Sequence, residues 1–166
     1  MIAQNIDKKT VLDWLEEVMD PEVPVLSVVD LGIVRDIKIT DEDLELVITP
    51  TYSGCPAMDM ITAQIRMAMA GRGFKSVKIT QTLQPAWTTD WMSEAGRNKL
   101  KAYGIAPPLP KQTVCEPDLF QRDEAIQCPQ CGSWHTKRLS EFGSTACKAL
   151  YQCQDCLEPF DYFKCH

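Results

Sequence analysis

The sequence predicts a mixed chain of the α/β (α+β) class in two parts. A small domain ordered helix, strand, strand, helix, strand comes first, and a cysteine-rich module follows it. Three observations carry this reading. Apolar residues recur at helical spacing in 10–19 and 56–73. They run β-rich and partly alternating in 31–40, 44–49 and 74–80. Two Cys-x-x-Cys pairs then stand near the end of the 166 residues.

In TVLDWLEEVM (10–19), Val11, Leu15 and Val18 share one helical face with Leu12 and Met19. Thr10 and Asp13 resemble a capping box, and Asp20-Pro21 ends the helix because proline disfavours helical geometry in the residue before it. Residues 20–29 read as an extended loop. LGIVRDIKIT (31–40) puts Ile33, Ile37 and Ile39 on one face, and LELVIT (44–49) alternates Leu44, Leu46 and Ile48. The polar DED between them predicts a hairpin. PAMDMITAQIRMAMAGRG (56–73) is a second helix with Pro56 at its first position, Met58, Ile61, Ile65 and Ala68 on its inner face, and Gly71 and Gly73 as its stop. Its methionines read as core filler. FKSVKIT (74–80) is a third strand. Together these make a small α-β-β-α-β sandwich with helices packed on one sheet. A further helix spans 89–104, and the proline-rich stretch after it reads as a linker. The domain boundaries expected are 1–104, 105–126 and 127–166.

Composition narrows the function classes. The formal charge is −6, and residues 1–50 hold twelve acids against four bases. Such a face repels phosphate, which argues against nucleic acid as a partner. No apolar run approaches the ~20 residues of a membrane span, and the first residues lack the apolar core of a signal peptide. A cytoplasmic location is expected. In a reducing compartment, eight cysteines with Cys-x-x-Cys spacing read as metal ligands before disulfides.

Cys128-Pro-Gln-Cys131 and Cys153-Gln-Asp-Cys156 are separated by 21 residues. Each pair can form a tight turn presenting two thiolates, and two turns make a tetrahedral four-cysteine site suited to Zn2+. SWHTKRLS and ACKALYQ can pair around FGST, with EPFDYFK as a third strand. This is a zinc ribbon. A module of about forty residues lies near the lower size limit for unaided folding, and structural zinc supplies roughly 10–16 kcal/mol. The zinc is read as structural, since four thiolates leave no open position. His135 and His166 are not needed as ligands. A register pairing Cys153 with Pro159 would set Cys147 opposite Cys165, a second thiol pair.

TPTYSGCP (49–56) places Cys55 where a strand gives way to a helix. With Pro56 opening the helix, Cys55 is its N-cap, where free N–H groups and the helix dipole lower a thiol pKa. Gly54 permits a sharp turn and close approach, and Thr51, Tyr52 and Ser53 offer hydroxyls. Three readings stay open: a small buried residue, a nucleophile, or a soft-metal ligand. No histidine close in sequence can serve as its base, which weakens the nucleophile. One thiolate cannot hold a cluster alone, so a partner, a homodimer mate or another cysteine would contribute.

DPEVPVLSVVDLG (20–32) followed by TPTYSGCP resembles the metal–sulfur cluster biosynthesis family through Asp20-Pro21-Glu22, Asp30-Leu31-Gly32 and Cys55-Pro56. LQPAWTTDWM (83–92), YGIAPP (103–108), SEFGSTACKALYQC (140–153) and EPFDYFKC (158–165) are similar to the PaaD family, the D component of phenylacetyl-CoA epoxidase. The stretch around Cys115 matches least, so no role is placed on it. The resemblance implies an accessory protein of bacterial phenylacetate degradation rather than an enzyme. It would assemble or transfer an iron–sulfur cluster for a multicomponent di-iron monooxygenase, at its reductase component. On the assembly reading Cys55 would be the transient ligand, Cys147 and Cys165 candidate co-ligands, and Asp20, Glu22, Thr51, Ser53 and Gly54 the supporting loop. The alternative is a non-catalytic interaction subunit of the epoxidase, contacting partners through Trp87, Trp91 and the prolines at 107–108, with zinc only shaping its surface.

Overall fold

A computed structural model describes residues 6–109 and 125–164. These form two compact units, one reaching to Trp87 and including Trp91–Ser93, the other holding Thr88–Asp90 and the residues from Glu94 onward.

In the first unit, α1 (Lys8–Leu15) buries Val11 and Leu15. Its N-cap is Asp7, whose carboxylate accepts the Thr10 N–H at 2.8 Å and the Thr10 hydroxyl at 2.7 Å. The cap therefore lies three residues before the one expected, and Thr10 sits inside the helix as its donor. The helix also stops earlier, at Leu15. From Val18 the chain bonds across a closed loop instead: Asp20 N–H to Leu26 O at 2.8 Å, and Val28 N–H to Val18 O at 2.9 Å. The loop expected to be extended is packed, with Val23, Leu26 and Val28 buried. Asp30 anchors it, accepting from Ser27 N–H at 3.1 Å and from the Ser93 hydroxyl at 2.9 Å.

β1 (Val34–Thr40), β2 (Asp43–Ile48) and β3 (Ser76–Gln81) form a sheet in the order β1-β2-β3, with β1 antiparallel and β3 parallel to β2. The alternation of Leu44, Leu46 and Ile48 is realised, all three being buried in the central strand. The parallel pair needs a crossover, which α2 (Met58–Met69) supplies. Its inner stripe is Met58, Ile61, Ile65 and Met69, so Met69 replaces the expected Ala68. The filler role holds for only two of the helix's methionines, since Met60 and Met67 are 54% and 76% exposed.

Trp87 is 4% exposed, and its indole N–H donates to Leu31 O at 2.8 Å. It is a core residue of this unit, which removes it from the surface that the interaction-subunit reading requires. Gly32 has φ +67°, and the Trp91 carbonyl lies where a β-carbon would go. Arg35 stacks on the Trp91 ring at 3.5 Å.

The second unit contains α3 (Glu94–Tyr103), ended by Gly104 at φ +91°. The sequence assigns this helix to the first domain, but it belongs to the unit of the ribbon. The reason lies just beyond it. Ala106 N–H donates to Asp161 O at 2.8 Å, and Phe163 N–H donates to Ala106 O at 3.0 Å. The start of the expected linker is therefore stitched onto the last strand. Arg97 holds this return, donating to Pro108 O at 2.7 Å and Thr89 O at 2.6 Å. The other end of the linker is also fixed, since Ile126 is buried and exchanges two hydrogen bonds with the Thr136 hydroxyl. Cys115 lies outside the described residues.

β4 (Thr136–Ser140), β5 (Lys148–Cys153) and β6 (Pro159–Phe163) form the three-stranded antiparallel ribbon. Its core joins Ala106, Ile126, Cys128, Ala149, Tyr151, Cys153, Phe160 and Tyr162. The Tyr151 ring stacks on Phe160 at 5.9 Å and meets Tyr162 edge-on at 5.7 Å. The β5–β6 register pairs Gln152, not Cys153, with Pro159. That one-residue slip sets Cys147 against Lys164, whose N–H donates to Cys147 O at 3.0 Å. The register argument for a Cys147–Cys165 pair therefore fails, and Cys165 itself lies outside the described residues.

Candidate functional sites: a thiol at the β2–α2 turn and a four-thiol centre

Cys55 lies in the loop joining β2 to α2. Thr49 closes the strand by donating its N–H to Ile33 O at 2.9 Å. A turn then runs from Tyr52 to Cys55, closed by Cys55 N–H to Tyr52 O at 3.2 Å. Gly54 takes φ +84° there, with open space where its side chain would be. A β-carbon would be strained by the backbone angle, not by a neighbour. Thr51 is half-buried and Ser53 exposed. The helix begins at Met58 with Ala57 as N-cap, so Pro56 and Cys55 both precede it. Cys55 is half-buried, not sealed.

The electrostatics reverse the expectation of an activated thiolate. Burial pushes the Cys55 thiol above its ordinary value. The Ala57 N–H pulls it down, Glu22 and Asp20 push it further up, and the Tyr52 hydroxyl opposes them. The helix end does contribute a donor, but desolvation and two carboxylates outweigh it. These carboxylates come from the loop expected to support the site. Asp20 shapes that loop, its carboxylate accepting Glu22 N–H at 2.7 Å and Val23 N–H at 2.8 Å.

A pH titration of Cys55 alkylation by iodoacetamide, followed by peptide mass spectrometry, should show a midpoint above that of a cysteine in an unfolded peptide. Glu22→Gln removes a negative charge facing the sulfur and should move the midpoint down. An unchanged or higher midpoint would contradict the assigned cause.

The structure brings together Cys128, Cys131, Cys153 and Cys156, with all four sulfurs within 4.8 Å of one another. The two turns are near copies. Cys128 N–H donates to Ser133 O at 2.8 Å, and Cys153 N–H donates to Glu158 O at 3.0 Å. The residue after each second cysteine is left-handed: Gly132 at φ +76° and Leu157 at φ +63°. Cys128 and Cys153 are buried, while Cys131 and Cys156 are exposed. Cross-turn sulfurs lie 3.8 Å (Cys128–Cys156) and 3.5 Å (Cys131–Cys153) apart. A tetrahedral ion with Zn–S bonds of ~2.3 Å spaces its sulfurs by ~3.8 Å, so the donor set fits zinc.

The Cys153 thiol is lowered to about 7 by N–H groups of Cys156 and Asp155 that point at its sulfur. For Cys156, the Glu158 N–H pulls down, but burial and the neighbouring sulfurs of Cys153, Cys131 and Cys128 push it up to about 12. Four thiols this close cannot all ionise without a cation between them.

Ser133, His135 and Asp155 form a hydrogen-bonded group beside these turns. His135 stands on the surface rather than among the ligands, and its ring nitrogen Nδ1 pairs with Asp155 at 3.1 Å. Sequence reasoning does not single out Ser133 or Asp155. An aspartate inside a Cys-x-x-Cys turn is the available signal. Cys147 is 4% exposed, with the Thr145 hydroxyl 3.0 Å from its sulfur. It belongs to the second unit, whereas Cys55 belongs to the first.

Comparison with known proteins places both units. Residues 8–80 match the family described as iron–sulfur cluster assembly protein, and residues 112–164 match the PaaD zinc beta ribbon domain. An Fe-S protein maturation auxiliary factor of Porphyromonas gingivalis is 37% identical, over 52% of this chain and 84% of its own. A conserved hypothetical protein of Thermotoga maritima, 34% identical, superposes with a TM-score of 0.52 over 60% of this chain and 98% of its own. A DUF59 domain from Bacillus anthracis, 23% identical, shares the fold with a TM-score of 0.53 over 56% of this chain and 90% of its own. A protein of Escherichia coli K12, provisionally named as the D component of 1,2-phenylacetyl-CoA epoxidase, is 50% identical, over 91% of this chain and 88% of its own. The chain therefore belongs to the family of that Escherichia coli protein, with a segment of the iron–sulfur cluster assembly family followed by a PaaD zinc beta ribbon domain.

Proposed function

We propose that this chain is an iron–sulfur maturation factor that presents Cys55 as a temporary cluster ligand and serves a phenylacetyl-CoA epoxidase, at its reductase component. The observation that carries this reading is the half-buried Cys55 at the β2–α2 turn, within the segment that matches the iron–sulfur assembly family. The names of the relatives support it: one is an Fe-S protein maturation auxiliary factor, and another is provisionally named as an epoxidase component.

The chemistry fits transfer better than storage. Cys55 is held protonated at rest by burial and by Glu22 and Asp20. An incoming iron–sulfur cargo must displace that proton, because thiolate is the ligand form. One thiolate contributes one bond, so the remaining ligands come from the client or from a second copy of the chain. Soft-metal thiolate bonds exchange readily, and the same carboxylates favour reprotonation once the cargo departs. The ribbon's four thiols would hold a separate, structural zinc ion. Among the described residues, no helix is long and apolar enough to cross a membrane.

The test is Cys55→Ser in cells that express the whole epoxidase. The complex should still assemble, while its reductase component loses the visible absorption of its cluster. A reductase with an unchanged spectrum and full epoxidase activity would instead favour an interaction subunit.

A further inference from the structure

We propose that Asp155 is a positioning residue for the ribbon's metal: gripped by Ser133 and His135, it clasps the two Cys-x-x-Cys turns together and sets the rate at which the ion leaves.

Asp155 lies inside the second turn, between Cys153 and Cys156. Ser133 and His135 directly follow the first turn. The Ser133 hydroxyl donates to one Asp155 oxygen, and His135 Nδ1 pairs with the other at 3.1 Å. Ser133 is itself oriented, since its hydroxyl accepts the His135 N–H at 2.9 Å and its carbonyl accepts the Cys128 N–H at 2.8 Å. A backbone bond lies alongside, from Gln154 N–H to His135 O at 2.8 Å. Both carboxylate oxygens of Asp155 in the second turn are therefore occupied by side chains that follow the first.

The clasp reaches the ligands through the backbone. Cys156 N–H points at the Cys153 sulfur at 3.5 Å, from the same short turn that the Asp155 side chain fixes. Releasing Asp155 frees that turn to rotate away from the first. Two of the four sulfurs, those of Cys131 and Cys156, are exposed, so an opened turn gives a competing ligand direct access to the ion. Side chains this exposed add little to equilibrium stability. Their effect falls on the local opening that precedes metal loss. Groups that orient metal ligands typically shift affinity by about 10–100-fold when removed.

The inference rests on the reading that the four thiols hold zinc, and the experiment separates the two. Zinc content of the wild-type full chain tests the metal. Transfer of that zinc to excess chromogenic chelator, followed by absorbance, tests the clasp. Asp155→Ala and Ser133→Ala should each release zinc about tenfold faster than wild type. The double variant should be no faster than the faster single one, because both remove the same contact. His135→Gln keeps a side-chain donor and should fall between, which guards against a variant that merely misfolds. Melting of the zinc-loaded variants should stay within a few degrees of wild type. Release within twofold of wild type in both alanine variants would overturn the clasp alone, whereas a wild-type chain that neither contains nor takes up zinc would overturn the metal reading and the clasp with it.

Discussion

Cys153→Ser is expected to abolish the folding of the ribbon while leaving the first unit intact. Cys153 is fully buried, ends β5, and belongs both to the four-thiol centre and to the small apolar core. Serine cannot replace a thiolate toward zinc, and it places a hydroxyl among Tyr151, Phe160 and Cys128. Structural zinc contributes roughly 10–16 kcal/mol to a module of this kind, far more than a three-stranded sheet of this size gains from its own core. Thermal unfolding of wild type should then show a transition for the second unit that disappears in the variant, with near-ultraviolet dichroism from the Tyr151–Phe160–Tyr162 ring cluster lost at room temperature. Chelation of the wild type should reproduce the loss, and added zinc should reverse it. A variant that keeps the aromatic signal would show that the ribbon core suffices without metal.

Gly32→Ala is expected to be the most damaging small substitution in the first unit. A β-carbon at this position would fall on the Trp91 carbonyl oxygen and lie 2.7 Å from its carbon. Those are backbone atoms, which cannot swing aside as a flexible side chain can. The positive φ of Gly32 adds a further cost of about 1–2 kcal/mol for any L-residue, and overpacking adds about 1–3 kcal/mol. Together these come to about 2–5 kcal/mol. Relief requires moving the 91–93 segment, which would break the Ser93–Asp30 hydrogen bond and unstack Arg35 from Trp91. A denaturation midpoint for the first unit unchanged from wild type would show that Trp91 moves freely.

Local patterns carry the features that are legible in the sequence. Leu44, Leu46 and Ile48 alternate because one face of β2 is buried, and the two Cys-x-x-Cys pairs announce their turns by spacing alone. What stays hidden depends on contacts that no local pattern announces. The loop after α1 reads as extended because nothing local shows that Asp20 bonds to Leu26 and Val18 to Val28. The Cys55 environment is hidden for the same reason: the nearby helix start is visible in sequence, but the carboxylates of Asp20 and Glu22 come from more than thirty residues upstream. The sequence reads Thr10 as the cap, whereas the backbone starts the helix earlier and makes Thr10 a donor to the Asp7 cap. In the ribbon, a single residue of register separates the expected thiol pair from the observed Cys147–Lys164 neighbours, and turn length alone does not determine it.

The attachment of Ala106 to β6 bears on how the ribbon should be isolated. A fragment beginning at 127, where the cysteine motifs start, would strip the outer flank of β6 of its Ala106 partner and leave open N–H and C=O groups along an aromatic strand. Such an edge recruits other copies and precipitates. A soluble fragment should instead begin ahead of Thr88, carrying α3 and the Ala106 segment after it as a built-in cover.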